Sequence, residues 1–142
     1  MKLPLTTVSI ALVLLALMCC ADTKCILSGN WTNDLGSNMT ISAVDKDGVF
    51  TGIYLTSVSA TNKTIVKSPL TGYQQLSDLP TFGFTVKWLF TDSVTSWTGQ
   101  CFQNSKGQRI LKTMWLLRFA VTDFQDNWKA TSVGYNIFEP ID

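Results

Sequence analysis

The chain has 142 residues, 46% hydrophobic and 15% charged, with 11 Lys and Arg against 10 Asp and Glu and no histidine. That length suits a single domain, and a near-neutral balance offers no electrostatic footprint for nucleic acid or an anionic membrane. Without an imidazole, and with Glu139 as its one glutamate, the chain is poorly equipped for acid–base or nucleophilic catalysis and short of soft-metal ligands, so no enzyme, metal or cofactor is expected.

Residues 1–21 read as a removable signal peptide. Lys2 supplies a positive start, Val8 to Met18 an apolar stretch, and Cys19-Cys20-Ala21 the small residues of a cleavage site. The apolar stretch is too short for a comfortable membrane span. Cleavage after Ala21 predicts a secreted domain of residues 22–142 with no net charge, because Lys2 is the only charged residue lost. Cys25 and Cys101 then remain, 76 positions apart. Two cysteines in a secreted chain pair as a rule, the alternative being two buried thiols.

Turn signals follow at short intervals: Leu35-Gly36, Asp45-Lys46-Asp47-Gly48, Ser68-Pro69, Leu79-Pro80 and Asn104-Ser105-Lys106-Gly107. Between them lie alternating runs rich in Thr, Val, Ile and aromatic residues, the mark of an all-β sandwich or barrel. Eight strands are predicted, over 29–34, 37–44, 49–58, 64–72, 82–91, 95–103, 109–119 and 129–138.

Alternation sorts their faces. Trp31 and Asn33 share one face of the first strand, and Ser37, Met39 and Ile41 one face of the second. Phe82, Phe84, Val86, Trp88 and Phe90 line up on the fifth; Leu111, Thr113, Trp115 and Leu117 on the seventh; Gly134, Asn136 and Phe138 on the eighth. The proposed interior thus gathers the neutral polar groups Asn33, Ser37, Tyr54, Thr56, Thr95 and Asn136 among Trp88, Phe90, Trp97, Trp115 and Leu117. Buried polar groups cost free energy unless their hydrogen bonds are met, and a few of them converging in an aromatic pocket is the make-up of a small-ligand site. Met114, Leu116, Val133 and Tyr135 take the outward phase on adjacent strands, an apolar patch that points to oligomerisation.

The run Gly29-Asn30-Trp31-Thr32-Asn33-Asp34-Leu35-Gly36-Ser37-Asn38-Met39-Thr40 resembles the opening of an avidin, as do Thr113 to Arg118 and Gly134 to Phe138. The resemblance runs from Cys25 to Phe138 and is closest to the vertebrate avidins. It implies an eight-stranded antiparallel up-and-down β-barrel, an architecture whose mouth holds one small ligand in lipocalins and streptavidin. It also implies a non-catalytic, secreted, homotetrameric protein with biotin as ligand.

Within this resemblance Asn33, Ser37 and Tyr54 match the donors to the ureido oxygen of biotin, and Asn136 and Thr56 the acceptors for its N–H groups. Thr95 matches the hydroxyl at the thioether sulfur; Ser59, Ala60, Thr61, Thr91 and Ser93 match the residues around the valeryl carboxylate. Trp88, Phe90, Trp97, Trp115 and Leu117 form the surrounding box, and Trp128 matches the tryptophan lent by a neighbouring subunit. Trp97 departs from the best-known vertebrate avidins, which carry phenylalanine there. The segment from Tyr73 to Leu79 is shorter and less basic than theirs.

Asn30, Asn38 and Asn62 each open a glycosylation sequon, with Asn38 in the outward phase. Two other functions fit less of the chain: a lipocalin-like carrier of another small ligand, from the Gly29-x-Trp31 opening, and an extracellular avidin-like assembly module.

Overall fold

The computed structural model describes residues 24–141; the predicted signal peptide lies outside them. Eight strands form one closed antiparallel barrel in simple chain order. They are β1 (Gly29–Asn33), β2 (Asn38–Ile41), β3 (Val49–Leu55), β4 (Ser68–Gln74), β5 (Thr81–Lys87), β6 (Ser93–Gln103), β7 (Arg109–Phe119) and β8 (Thr131–Pro140). β8 closes the barrel on β1, pairing Asn33 with Phe138 and Trp31 with Pro140. A short 3-10 helix, Phe124–Lys129, lies between β7 and β8.

The predicted alternation holds. Met39 and Ile41 are buried while Asn38 and Thr40 are exposed, and Phe82, Phe84 and Val86 are buried between the half-buried Gly83 and the exposed Thr81, Thr85 and Lys87. These side chains fill one end of the barrel with Leu27, Trp31, Phe50, Leu70, Leu111 and Phe138. The N-terminal segment plugs that end. The disulfide between Cys25 and Cys101 ties it to β6, and Trp31 donates its indole N–H to the Leu27 carbonyl at 2.7 Å. The Arg109 guanidinium stands 5.0 Å over the Trp31 ring and donates to the Ile26 carbonyl. Gly48 closes the β2–β3 turn at φ +83°, where a side chain is strained, with the Gln74 carbonyl packed against it.

Several strand ends differ from the sequence prediction, mainly at the opposite rim. β3 stops at Leu55 because Thr56 turns its hydroxyl onto the Val58 carbonyl and amide, a local alternative to the ladder. β5 stops at Lys87, so Trp88, Phe90 and Thr91 sit on a loop rather than on the strand predicted to carry the two aromatics. β2 starts at Asn38 because the Asn33 side chain captures the Ser37 amide. β6 begins two residues early, at Ser93, and β8 lies at 131–140 rather than 129–138 because the 3-10 helix holds Trp128 and Lys129. Ser68-Pro69, expected as a turn, opens β4 instead. Pro69 faces Ile53 of β3, and pairing with β5 starts only at Leu70, so no ladder bond needs the missing N–H.

Candidate ligand-binding site

Because the barrel runs up and down, β1, β3, β5 and β7 all end at the same rim. The connections 34–37, 56–67, 88–92 and 120–130 follow them there. They surround a cavity of about 310 Å³ that descends to the packed core. Every predicted binding residue except Trp128 lines it. Leu35, Val58 and Phe119 line it too and were not predicted. Phe119 continues the Trp115, Leu117 alternation to the last residue of β7 and Val58 lies two residues beyond Thr56, so period two carried to the ends of the predicted strands would have found both. Leu35 sits in a turn, where no periodicity applies.

One wall carries Asn33, Ser37 and Tyr54. The Asn33 side-chain oxygen accepts from the backbone N–H groups of Leu35 and Ser37 at 3.0 and 2.9 Å. Those two donors leave no choice about which end of the amide is oxygen, so the Asn33 NH2 faces Tyr54 and donates to its hydroxyl at 3.1 Å. Ser37 accepts from the Ser57 amide and lies 3.2 Å from the Ser57 hydroxyl, which itself reaches the Leu35 carbonyl. Burial pushes the Tyr54 phenol far above its usual range, with Asp34 adding to the rise and the hydrogen bonds of Ser37 and Asn33 opposing it. Tyr54 therefore stays protonated through neutral pH, with its proton available as a donor.

The other polar groups are sorted differently. Thr56 spends its hydroxyl hydrogen on the Val58 carbonyl at 2.8 Å, so towards the cavity it is an acceptor. Asn136 accepts from the Trp97 indole at 3.2 Å and donates to Asp34 at 3.1 Å. Thr95 accepts from the Trp88 indole at 2.8 Å, which frees its own hydrogen. Near the mouth, the buried Ser93 hydroxyl has no partner at all among the described residues; such an orphan is costly unless something supplies one.

Aromatic rings complete the walls. Tyr54 stacks on Trp97 with centroids 4.9 Å apart, Trp97 stacks on Phe84 at 5.0 Å, and Trp88 meets Tyr54 edge-on at 5.5 Å. Trp115 pairs with Gly134 on β8, and its indole occupies the space that any side chain at 134 needs. Trp128 does not join them. It stands 81% exposed on the 3-10 helix, beside an equally bare Phe124. Met114 pairs with Tyr135 and Leu116 with Val133 on the outer face, all more than half exposed, as the alternation predicts.

A closed eight-stranded barrel, plugged at one end and carrying a polar-and-aromatic cavity at the other, defines the class: a small-molecule-binding β-barrel. The sequence model of the avidin family matches residues 21–141. Avidin of Gallus gallus is 58% identical over 118 residues, covering 81% of this chain and 78% of that one. Among solved structures, Xenavidin is 60% identical with a TM-score of 0.82, covering 83% of this chain and 99% of its own. A biotin binding protein from chicken is 53% identical with a TM-score of 0.81 at the same coverage. The chain belongs to the avidin family.

Proposed function

We propose that this protein is a secreted, non-catalytic biotin-binding protein that sequesters the vitamin in the open end of its barrel and works as a homotetramer. The observation that carries the reading is the sorting of polar groups inside the cavity. A ureido group has one carbonyl to accept hydrogen bonds and two N–H groups to donate them. Asn33 and Tyr54 keep donor hydrogens on one wall, which Ser37 joins by turning its hydroxyl away from Ser57, while Thr56 and Asn136 are held as acceptors. The stacked rings leave an apolar slot for a fused bicycle, Thr95 has a hydroxyl hydrogen free for a sulfur, and the orphan Ser93 hydroxyl suits the ligand carboxylate with Ser59, Ala60, Thr61 and Thr91. An apolar ligand would use none of the remaining donors and acceptors and would leave the Ser93 hydroxyl orphaned, which argues against a lipocalin-like carrier.

Assembly rests on the outer face. An apolar patch of Met114, Leu116, Val133 and Tyr135 is extended by Val94 and Ile137, and covering it needs another copy of the barrel. The exposed Trp128 then caps the cavity of a neighbour. Cleavage after Ala21 would release the domain, and Asn38, Asn30 and Asn62 are all exposed, so each is open to glycosylation.

Calorimetric titration of the mature chain with biotin tests the reading. Tight binding at one ligand per chain is expected; no heat of binding, with the barrel intact by circular dichroism, refutes it.

A further inference from the structure

Asp34 does not line the cavity, yet it holds one of the residues that does. Its carboxylate oxygen Oδ1 accepts from Asn136 Nδ2 at 3.1 Å and from the Ile137 amide at 3.2 Å. The Asp34 amide in turn donates to the Ile137 carbonyl at 3.2 Å, so the β1–β2 turn is clamped to β8 from both sides. At the other end of the same carboxamide, the Trp97 indole donates to Asn136 Oδ1 at 3.2 Å. A carboxylate only accepts and an indole N–H only donates. Turning the Asn136 amide over would put oxygen against carboxylate and NH2 against indole N–H, losing both bonds. Asn136 is 3% exposed, so water has little room to relieve such a mismatch.

We infer that Asp34 and Trp97 act together as positioning residues that lock Asn136 as a hydrogen-bond acceptor, so a ligand must bring an N–H to that point of the cavity. The inference rests on the biotin reading and adds to it the source of selectivity on one side of the ureido ring. The neighbouring residue completes the arrangement. Asn33 fixes the donor wall through Tyr54 while Asp34 fixes the acceptor wall through Asn136, so one dipeptide orients both.

The test uses biotin and its two cyclic carbamate analogues, in each of which one ureido N–H is replaced by a ring oxygen. One analogue turns that oxygen towards Asn136, the other towards Thr56. Wild type should reject both relative to biotin, because acceptor meets acceptor. In the Asp34→Ala/Trp97→Phe double variant the Asn136 amide is free to turn and offer its NH2. The margin of biotin over the Asn136-facing analogue should then shrink about tenfold or more, while the margin over the Thr56-facing analogue stays at its wild-type value. Should the double variant fail to fold, Trp97→Phe alone keeps an aromatic ring there without the indole N–H and should narrow the same margin about threefold.

General damage to the site would weaken all three ligands in parallel and leave both margins unmoved; that result overturns the inference while leaving biotin binding intact. A wild-type protein that binds none of the three removes the functional reading and the inference with it.

Discussion

Replacing Asn33 by alanine removes three hydrogen bonds at once: two accepted from the amides of Leu35 and Ser37, and one donated to Tyr54. Their costs differ. The Leu35 amide lies on an exposed turn and recovers a bond from water, whereas Ser37 is 2% exposed and its amide is left without a partner. A buried orphan N–H costs about 1–3 kcal/mol and the lost neutral bond to Tyr54 about 1 kcal/mol, so the unliganded protein should lose roughly 3 kcal/mol. At about 4 °C per kcal/mol for a domain of this size, the midpoint falls by about 12 °C. Biotin should lose a further 1–3 kcal/mol or so, because a ureido oxygen in the cavity is short of one donor. Asn33→Asp separates the two effects. It keeps a side-chain oxygen to accept from both backbone amides of the turn, so its unliganded stability should lie nearer wild type than that of alanine. It turns a carboxylate where the NH2 stood, so biotin affinity should fall further than with alanine. Urea unfolding without ligand, paired with calorimetric titration, reads both numbers. If Asn33→Ala unfolds at the wild-type midpoint, or Asn33→Asp binds biotin as well as wild type, the reasoning about this wall is wrong.

Other expected outcomes follow from the same geometry. Intact mass with and without reductant should show Cys25 joined to Cys101, and reduction should cost about 4.5 kcal/mol of stability by the loop-entropy model for a separation of 76 residues. Tyr54 has its folded-state pKa raised, so its contribution to stability is whole below about pH 10 and drains away above it, by up to about 1.4 kcal/mol per pH unit. Tyr54→Phe should flatten that alkaline slope in unfolding measured against pH, while biotin affinity in the wild type stays level between about pH 6 and 9. In the proposed tetramer ligand and neighbour meet on Trp128, so Trp128→Ala should weaken biotin binding by about 2–4 kcal/mol and loosen that assembly with it. Sedimentation of this mutant with and without biotin, alongside titration, decides the point; unchanged affinity means that Trp128 serves only its own barrel.

Most of the architecture was legible in the sequence because a strand writes its two faces with period two. Trp31 and Asn33, Met39 and Ile41, Phe82 through Val86, and Leu111 with Thr113 each announce an inward face, and barrel closure only stacks those faces together. Strand ends were less legible. Thr56 and Asn33 end the ladder by side-chain hydrogen bonds that composition does not reveal, since the same residues also favour strands or turns. Which cavity residues touch one another was beyond the sequence altogether. Trp97 reaches Asn136 across 39 positions and Asp34 reaches it across 102. The alternation that puts Trp97 and Asn136 inside says nothing of the register that makes them meet. For Asp34 it is actively misleading, because an exposed acid in a turn reads as solvent-facing until β8 closes on β1 and sets Asn136 behind it. Only the closed barrel, by joining the first strand to the last, decides that a turn residue outside the cavity governs the hydrogen bonding within it.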